Sequence, residues 1–169
     1  MTLVDGRYSG LLYRALNPVY AREPLSGRGA ETHGGRFNAR GTPALYTALD
    51  PATALREANQ VGSLQPTVLV SYRAALGPVF DSGDAGALAR YGMDAPGLAD
   101  GGWRAAMLDR RPVPTQEFAR ALMGDGYVGL VVRSFAKGGE TGRNLVLWHW
   151  SGAAGTLEVV DDEDRLGRM

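Results

Sequence analysis

Apolar positions along the chain gather into short runs set apart by long polar stretches, and the runs follow two different periods. The first run, "SGLLYRAL" (9–16), is continuous and contains an aromatic residue, which predicts a strand. A polar, glycine-bearing stretch follows from Asn17 to Pro43; a loop of that length inside a compact domain is usually functional or disordered. "ALYTA" (44–48) predicts a second strand. In "DPATALREANQ" the period becomes helical: Asp50 suits the cap, Pro51 suits the first helical position, and Ala54, Leu55 and Ala58 supply the apolar stripe. Glu57 lies three residues after Ala54 and one before Ala58, so its side chain is expected to point partly inward.

"PTVLVSYRA" (66–74) and "GPVFD" (77–81) predict two more strands joined by a turn. Between Ala85 and Gly124 the pattern is helical but interrupted by Pro96, Gly101, Gly102, Pro112 and Pro114. "TQEFARALMGDG" (115–126) is the clearest helix there and ends at a glycine. "YVGLVVRSF" (127–135), "NLVLWHW" (144–150) and "TLEVV" (156–160) predict three final strands, and the acidic "DDED" run opens a solvated tail (161–169). Strands at both ends with helices between them predict a single α+β domain over residues 1–169. A doubly wound parallel fold is disfavoured, because strands and helices do not alternate and no glycine fingerprint follows the first strand.

Composition narrows the function classes. A hydrophobic fraction of 44% supports a core in a chain of 169 residues, and 18 basic against 18 acidic side chains leave no global field to gather a polyanion or an anionic membrane. Every basic residue except Lys137 is Arg, and Gly is abundant at 24 residues. The lack of cysteine removes disulfides and thiolate metal sites. No run approaches the roughly 20 apolar residues of a membrane span, and "MTLVDGRYSG" lacks signal-peptide order, so a cytoplasmic location is expected.

Several chemistries lose support at the level of motifs. His33 and His149 occupy unrelated segments without a surrounding carboxylate set, so no metal site is expected. His149, between two tryptophans on a predicted strand, reads as structural. There is neither a nucleophile elbow nor a phosphate-binding P-loop. What remains is a set without metal or covalent nucleophile: Arg14, Arg36, Tyr46, Glu57, Ser134 and Asn144. Singly, each has a plain structural reading as a strand-edge arginine, a solvated loop cation, a core tyrosine, a helix-surface carboxylate, or a turn residue.

Jointly they resemble a family. "LLYRAL", "GGRFNARGTPALYTALDPATALREA" and "GLVVRSFAKGGETGRNLVLW" resemble the three sequence blocks of the RES-domain family, over roughly residues 10–150. The resemblance implies an ADP-ribosyltransferase-like α+β domain with a central twisted mixed or antiparallel sheet and flanking helices. It implies NAD as substrate, with Glu57, Arg36 and Tyr46 as catalytic residues and Arg14, Arg36, Tyr46, Ser134 and Asn144 as the binding set. It also implies the toxin of a toxin–antitoxin pair, held in an oligomeric complex by a helix-turn-helix antitoxin that blocks the NAD site.

Residue chemistry is compatible with those roles. A guanidinium presents a planar fork suited to pyrophosphate, and Arg14 and Arg36 compete for that role; Arg36 ranks first because it shares a block with Tyr46 and Glu57. Arg28, Arg40 and Arg133 lie close enough in sequence to be confused with them. The Tyr46 ring would stack on the cationic nicotinamide, Glu57 would stabilise positive charge developing on ribose, and Ser134 and Asn144 would fix the nicotinamide amide or the ribose. The favoured expectation is ADP-ribose transfer to a host protein, for which the resemblance offers ribose-phosphate pyrophosphokinase. The alternative is NAD loss by hydrolysis or phosphorolysis. An RNA- or DNA-binding arm at "GRGAETHGGRFNARG" is disfavoured by balanced charge and a single aromatic residue in the stretch.

Overall fold

The computed structural model describes residues 2–60 and 62–169. Eight strands form one sheet: β1 (Thr2–Val4), β2 (Arg7–Leu16), β3 (Leu45–Ala48), β4 (Val68–Leu76), β5 (Val79–Asp81), β6 (Gly129–Arg133), β7 (Arg143–Leu147) and β8 (Gly155–Val159). Their order is β5-β6-β7-β3-β2-β4-β8, with β1 beside β2; every pairing is antiparallel except β5 with β6. The helices are α1 (Arg28–His33), α2 (Pro51–Ala58), α3 (Ala85–Arg90), α4 (Ala95–Ala99), α5 (Trp103–Leu108) and α6 (Pro114–Gly124). This is the mixed α+β architecture expected from the order of apolar runs.

Burial explains the two strand patterns. On β4, Val70, Tyr72, Ala74 and Leu76 are buried in alternation with more exposed residues, as in a strand covered on one face. On β6 and β7 the apolar run is continuous because both faces are covered. Val131, Leu145 and Leu147 join the core with Leu12 and Tyr72, while Leu130, Val132, Val146 and Trp148 join a second core with Phe80 of β5 and with Phe118 and Leu122 of the helical layer.

Several boundaries differ from the sequence pattern for local reasons. β4 and β5 follow each other in the chain but are not neighbours in the sheet, because β5 pairs with β6 at the far end. The 17–43 stretch is partly ordered into a 3-10 turn at Pro18–Tyr20 and the short α1. β7 stops at Leu147, which leaves His149 exposed beyond the strand. On α2, Asp50 caps as expected, accepting from Thr53 N at 2.8 Å and Thr53 Oγ1 at 2.6 Å. Its buried stripe, however, is Thr53 and Ala54; Leu55 and Ala58 are exposed. The rotation follows from packing: Thr53 sits against Gly142, whose missing Cβ would overlap the threonine Oγ1. Thr53 and Glu57 are one helical turn apart, so seating Thr53 on the β6–β7 connection also aims Glu57 there.

The feature that places the site is a weak seam in the sheet. β2 pairs with β4 along nine residues, from Tyr8↔Leu76 to Leu16↔Val68, yet it pairs with β3 only at Tyr13↔Ala48. The two strands splay from that point and leave space between β2, β3 and α2.

Candidate active site

The structure brings Glu57, Ser134 and Asn144 into direct contact from positions 77 and 87 residues apart. Ser134 Oγ and Asn144 Nδ2 each donate to Glu57 Oε1 at 2.6 Å, and Gln60 Nε2 donates to Oε2 at 2.6 Å. Two charge-assisted donors on one oxygen fix the carboxylate's direction. Local backbone makes the arrangement possible. Ser134 N bonds Gly142 O at 2.8 Å, which closes the β6–β7 connection beneath the helix, and a Cβ at Gly139 would sit 2.6 Å from Ser134 Oγ. Ser134 is buried at 2% exposure and spends its proton on Glu57, so its place is beneath the carboxylate rather than in the open cleft. Asn144 differs: its Nδ2 must face the acceptor carboxylate, and its buried Oδ1 has no hydrogen-bond partner among the described residues. An unpaired buried acceptor beside Glu57 is suited to an amide or hydroxyl donor of a ligand.

The "GGRFN" loop is organised around the Tyr46 hydroxyl. That hydroxyl donates to Asn38 Oδ1 at 2.6 Å and accepts from Phe37 N at 3.1 Å. Asn38 Nδ2 in turn donates to the carbonyls of Ala30 at 2.8 Å and Thr42 at 2.9 Å, tying α1 and the loop end together. Gly35 is required here because a Cβ would stand 2.5 Å from the tyrosine oxygen. Phe37 is buried, and its carbonyl accepts from Trp148 Nε1 at 2.9 Å. Burial pushes the Tyr46 hydroxyl above its ordinary pKa, against the lowering influence of the Phe37 N–H and Arg36. It therefore remains a neutral donor at physiological pH. The residue is nevertheless 36% exposed, which leaves ring surface for a ligand while the oxygen stays locked.

The two competing arginines are both partly engaged. One Arg36 terminal nitrogen donates to Leu98 O at 3.0 Å and Asp100 O at 2.7 Å, pinning the end of α4, and its guanidinium lies 4.5 Å from the centre of the Phe135 ring. Burial presses the Arg36 pKa below its ordinary value; Glu57, Asp100 and Tyr46 oppose that shift and Arg104 adds to it. Arg14 gives one nitrogen to Pro24 O at 2.9 Å, a carbonyl that also accepts from the Tyr72 hydroxyl at 2.7 Å.

Two clefts meet at a shared wall of Tyr46, Glu57 and Asn144. One, of about 240 Å³, opens at the β2–β3 seam and is lined by Tyr13 and Arg14. The other, of about 360 Å³, is lined by Arg36, Gln60, Trp103, Arg104 and Phe135. All six candidates from the sequence thus belong to one neighbourhood, with Ser134 buried behind it. Sequence reasoning missed Asn38, Gln60, Trp103 and Arg104. The only advance signal for the last two was an aromatic residue and an arginine directly after the Gly101–Gly102 pair.

No curated protein sequence matches the chain. The fold is similar to a chain in the crystal structure of the M. tuberculosis MbcT–MbcA toxin–antitoxin complex, at 22% identity and a TM-score of 0.66, covering 92% of this chain and 83% of that one. The expected α+β fold, a central mixed sheet with flanking helices, is the one observed. A family model described as the RES domain matches residues 11–167, a span that contains the Glu57 helix, the Tyr46 strand and the hairpin beneath them, and the chain belongs to that family.

Proposed function

We propose that this protein cleaves NAD and transfers its ADP-ribose to a host protein, acting as the toxin of a toxin–antitoxin pair. The observation that carries the reading is Glu57, its Oε1 held by two donors at 2.6 Å on a wall shared by two clefts, next to exposed tyrosine ring surface and an unpaired amide oxygen. In NAD cleavage the bond between ribose C1′ and the nicotinamide nitrogen breaks. The electron pair leaves with the ring, which becomes neutral, and positive charge passes to the ribose. A fixed carboxylate stabilises that charge without reorganising, and it orients the incoming nucleophile or takes its proton as the new bond forms at C1′. The Tyr46 ring serves the cationic nicotinamide, Asn144 Oδ1 accepts from a substrate amide or hydroxyl, and Ser134 acts through Glu57.

The test is purified protein incubated with isotopically labelled NAD, with and without a cell lysate. Label carried onto a protein supports transfer. Free ADP-ribose or its phosphate reassigns the acceptor to water or phosphate at the same wall, and no consumption under any condition refutes NAD cleavage. Similarity to a chain of a toxin–antitoxin complex supports an antitoxin partner, which would act by covering the cleft mouth and withholding Glu57. Wild type should then be tolerated by a bacterial host only with that partner, whereas Glu57→Gln should be tolerated alone.

A further inference from the structure

We infer that Trp103 and Arg104, at the start of α5, form the subsite for the adenosine diphosphate half of the dinucleotide; this rests on the NAD reading of the site. The guanidinium of Arg104 lies 4.8 Å from the centre of the Trp103 ring, and it makes no hydrogen bond or ion pair among the described residues. Arg36 lies 5.9 Å from the same indole and 4.5 Å from Phe135, and Arg133 lies 5.2 Å from Phe135. Guanidinium and ring therefore alternate along one rim, in the order Arg133, Phe135, Arg36, Trp103, Arg104.

Adenosine diphosphate needs what this rim supplies: an aromatic surface for a purine and a cation with unspent donors for two phosphates. Arg14 and Arg36 have each committed a nitrogen to backbone carbonyls, whereas the whole donor fork of Arg104 is available. Arg104 also repels Arg36, and an anion between the two relieves that repulsion. The cleft holding Trp103 and Arg104 is the larger of the two, at about 360 Å³ against about 240 Å³, and adenosine diphosphate is the bulkier half of NAD. Gly101 lines the same cleft with open space where a side chain would stand, so a ligand can approach the backbone there. Glu57 lies in this cleft as well, so seating the diphosphate on α5 leaves the nicotinamide ribose for the shared wall.

The experiment is calorimetric titration of the full chain with two probes, ADP and the phosphate-free nicotinamide riboside. Arg104→Ala is expected to weaken ADP about tenfold, the scale of a lost charge-assisted bond, and to leave the riboside within about twofold. Trp103→Ala should weaken ADP while Trp103→Phe keeps most of the affinity; Arg104→Gln, which retains length, should behave like Arg104→Ala. The inference is overturned if wild type does not bind ADP, if Arg104→Ala leaves ADP affinity unchanged, or if both probes weaken equally. Because ADP binding is read without turnover, a wild type that binds ADP through Arg104 yet never consumes NAD refutes the proposed reaction and leaves the nucleotide subsite standing.

Discussion

At Glu57 charge and shape are separable. Glu57→Gln keeps an oxygen for Ser134 and Asn144 to grip but removes the negative charge that, in the proposed reaction, would offset charge on ribose. NAD turnover should fall by roughly 10²-fold or more, the scale of losing a preorganised electrostatic partner. Thermal unfolding should stay close to wild type; retained turnover would take Glu57 out of the mechanism. Tyr46 divides its duties differently. Tyr46→Phe keeps the ring but strands Asn38 Oδ1 and Phe37 N, so it should cost about 1–3 kcal/mol in denaturant unfolding. Tyr46→Ala should add a larger loss of NAD affinity than the Phe variant, and equal affinity losses would argue against ring stacking. The raised hydroxyl pKa also sets a pH dependence. The unfolded tyrosine ionises near its ordinary value of 10.0 while the folded one resists, so this stabilisation is complete below about pH 10 and is lost as the pH climbs toward the folded value. Alkaline unfolding curves of wild type and Tyr46→Phe should therefore converge above that point.

At the scale of elements, α2 and the β6–β7 connection act as a matched pair. The helix has only eight residues and little apolar burial, so it is held by its Asp50 cap and by Thr53 packed on Gly142. Gly142→Ala places a methyl against the threonine Oγ1 and must push helix and hairpin apart. That shift should cost about 1–3 kcal/mol of stability and lower turnover disproportionately, because Glu57 rides on the displaced helix. A stability loss without an activity loss would show that the seating does not aim the carboxylate. The sequence pattern made this helix and its cap legible. It placed the buried stripe on Ala54, Leu55 and Ala58 because apolarity is the only guide that a single sequence offers; the observed face is chosen by a threonine fitted to a glycine about 90 residues away.

Across the whole molecule, the site lies where the sheet is weakest. The nine-residue β2–β4 ladder should give the slowest-exchanging amides, and the single-pair β2–β3 seam faster ones. Binding of NAD should slow amide exchange around residues 13–15 and 46–48; protection confined to regions outside both clefts would displace the proposed site. The chain's apolar periodicity by itself determined seven of the eight strands, the clear helix and the α+β class, because burial on one or two faces imprints a local pattern on the sequence; the three-residue β1 was too short to show a period. Its motifs also named all six candidate side chains. Only the tertiary structure decided that Ser134 and Asn144 share one oxygen of Glu57, that one Arg36 nitrogen is committed to the carbonyls of Leu98 and Asp100, and that α5 delivers Trp103 and Arg104 to the same cleft. Those are contacts across dozens of residues, set by how packed elements meet, and no local period records them.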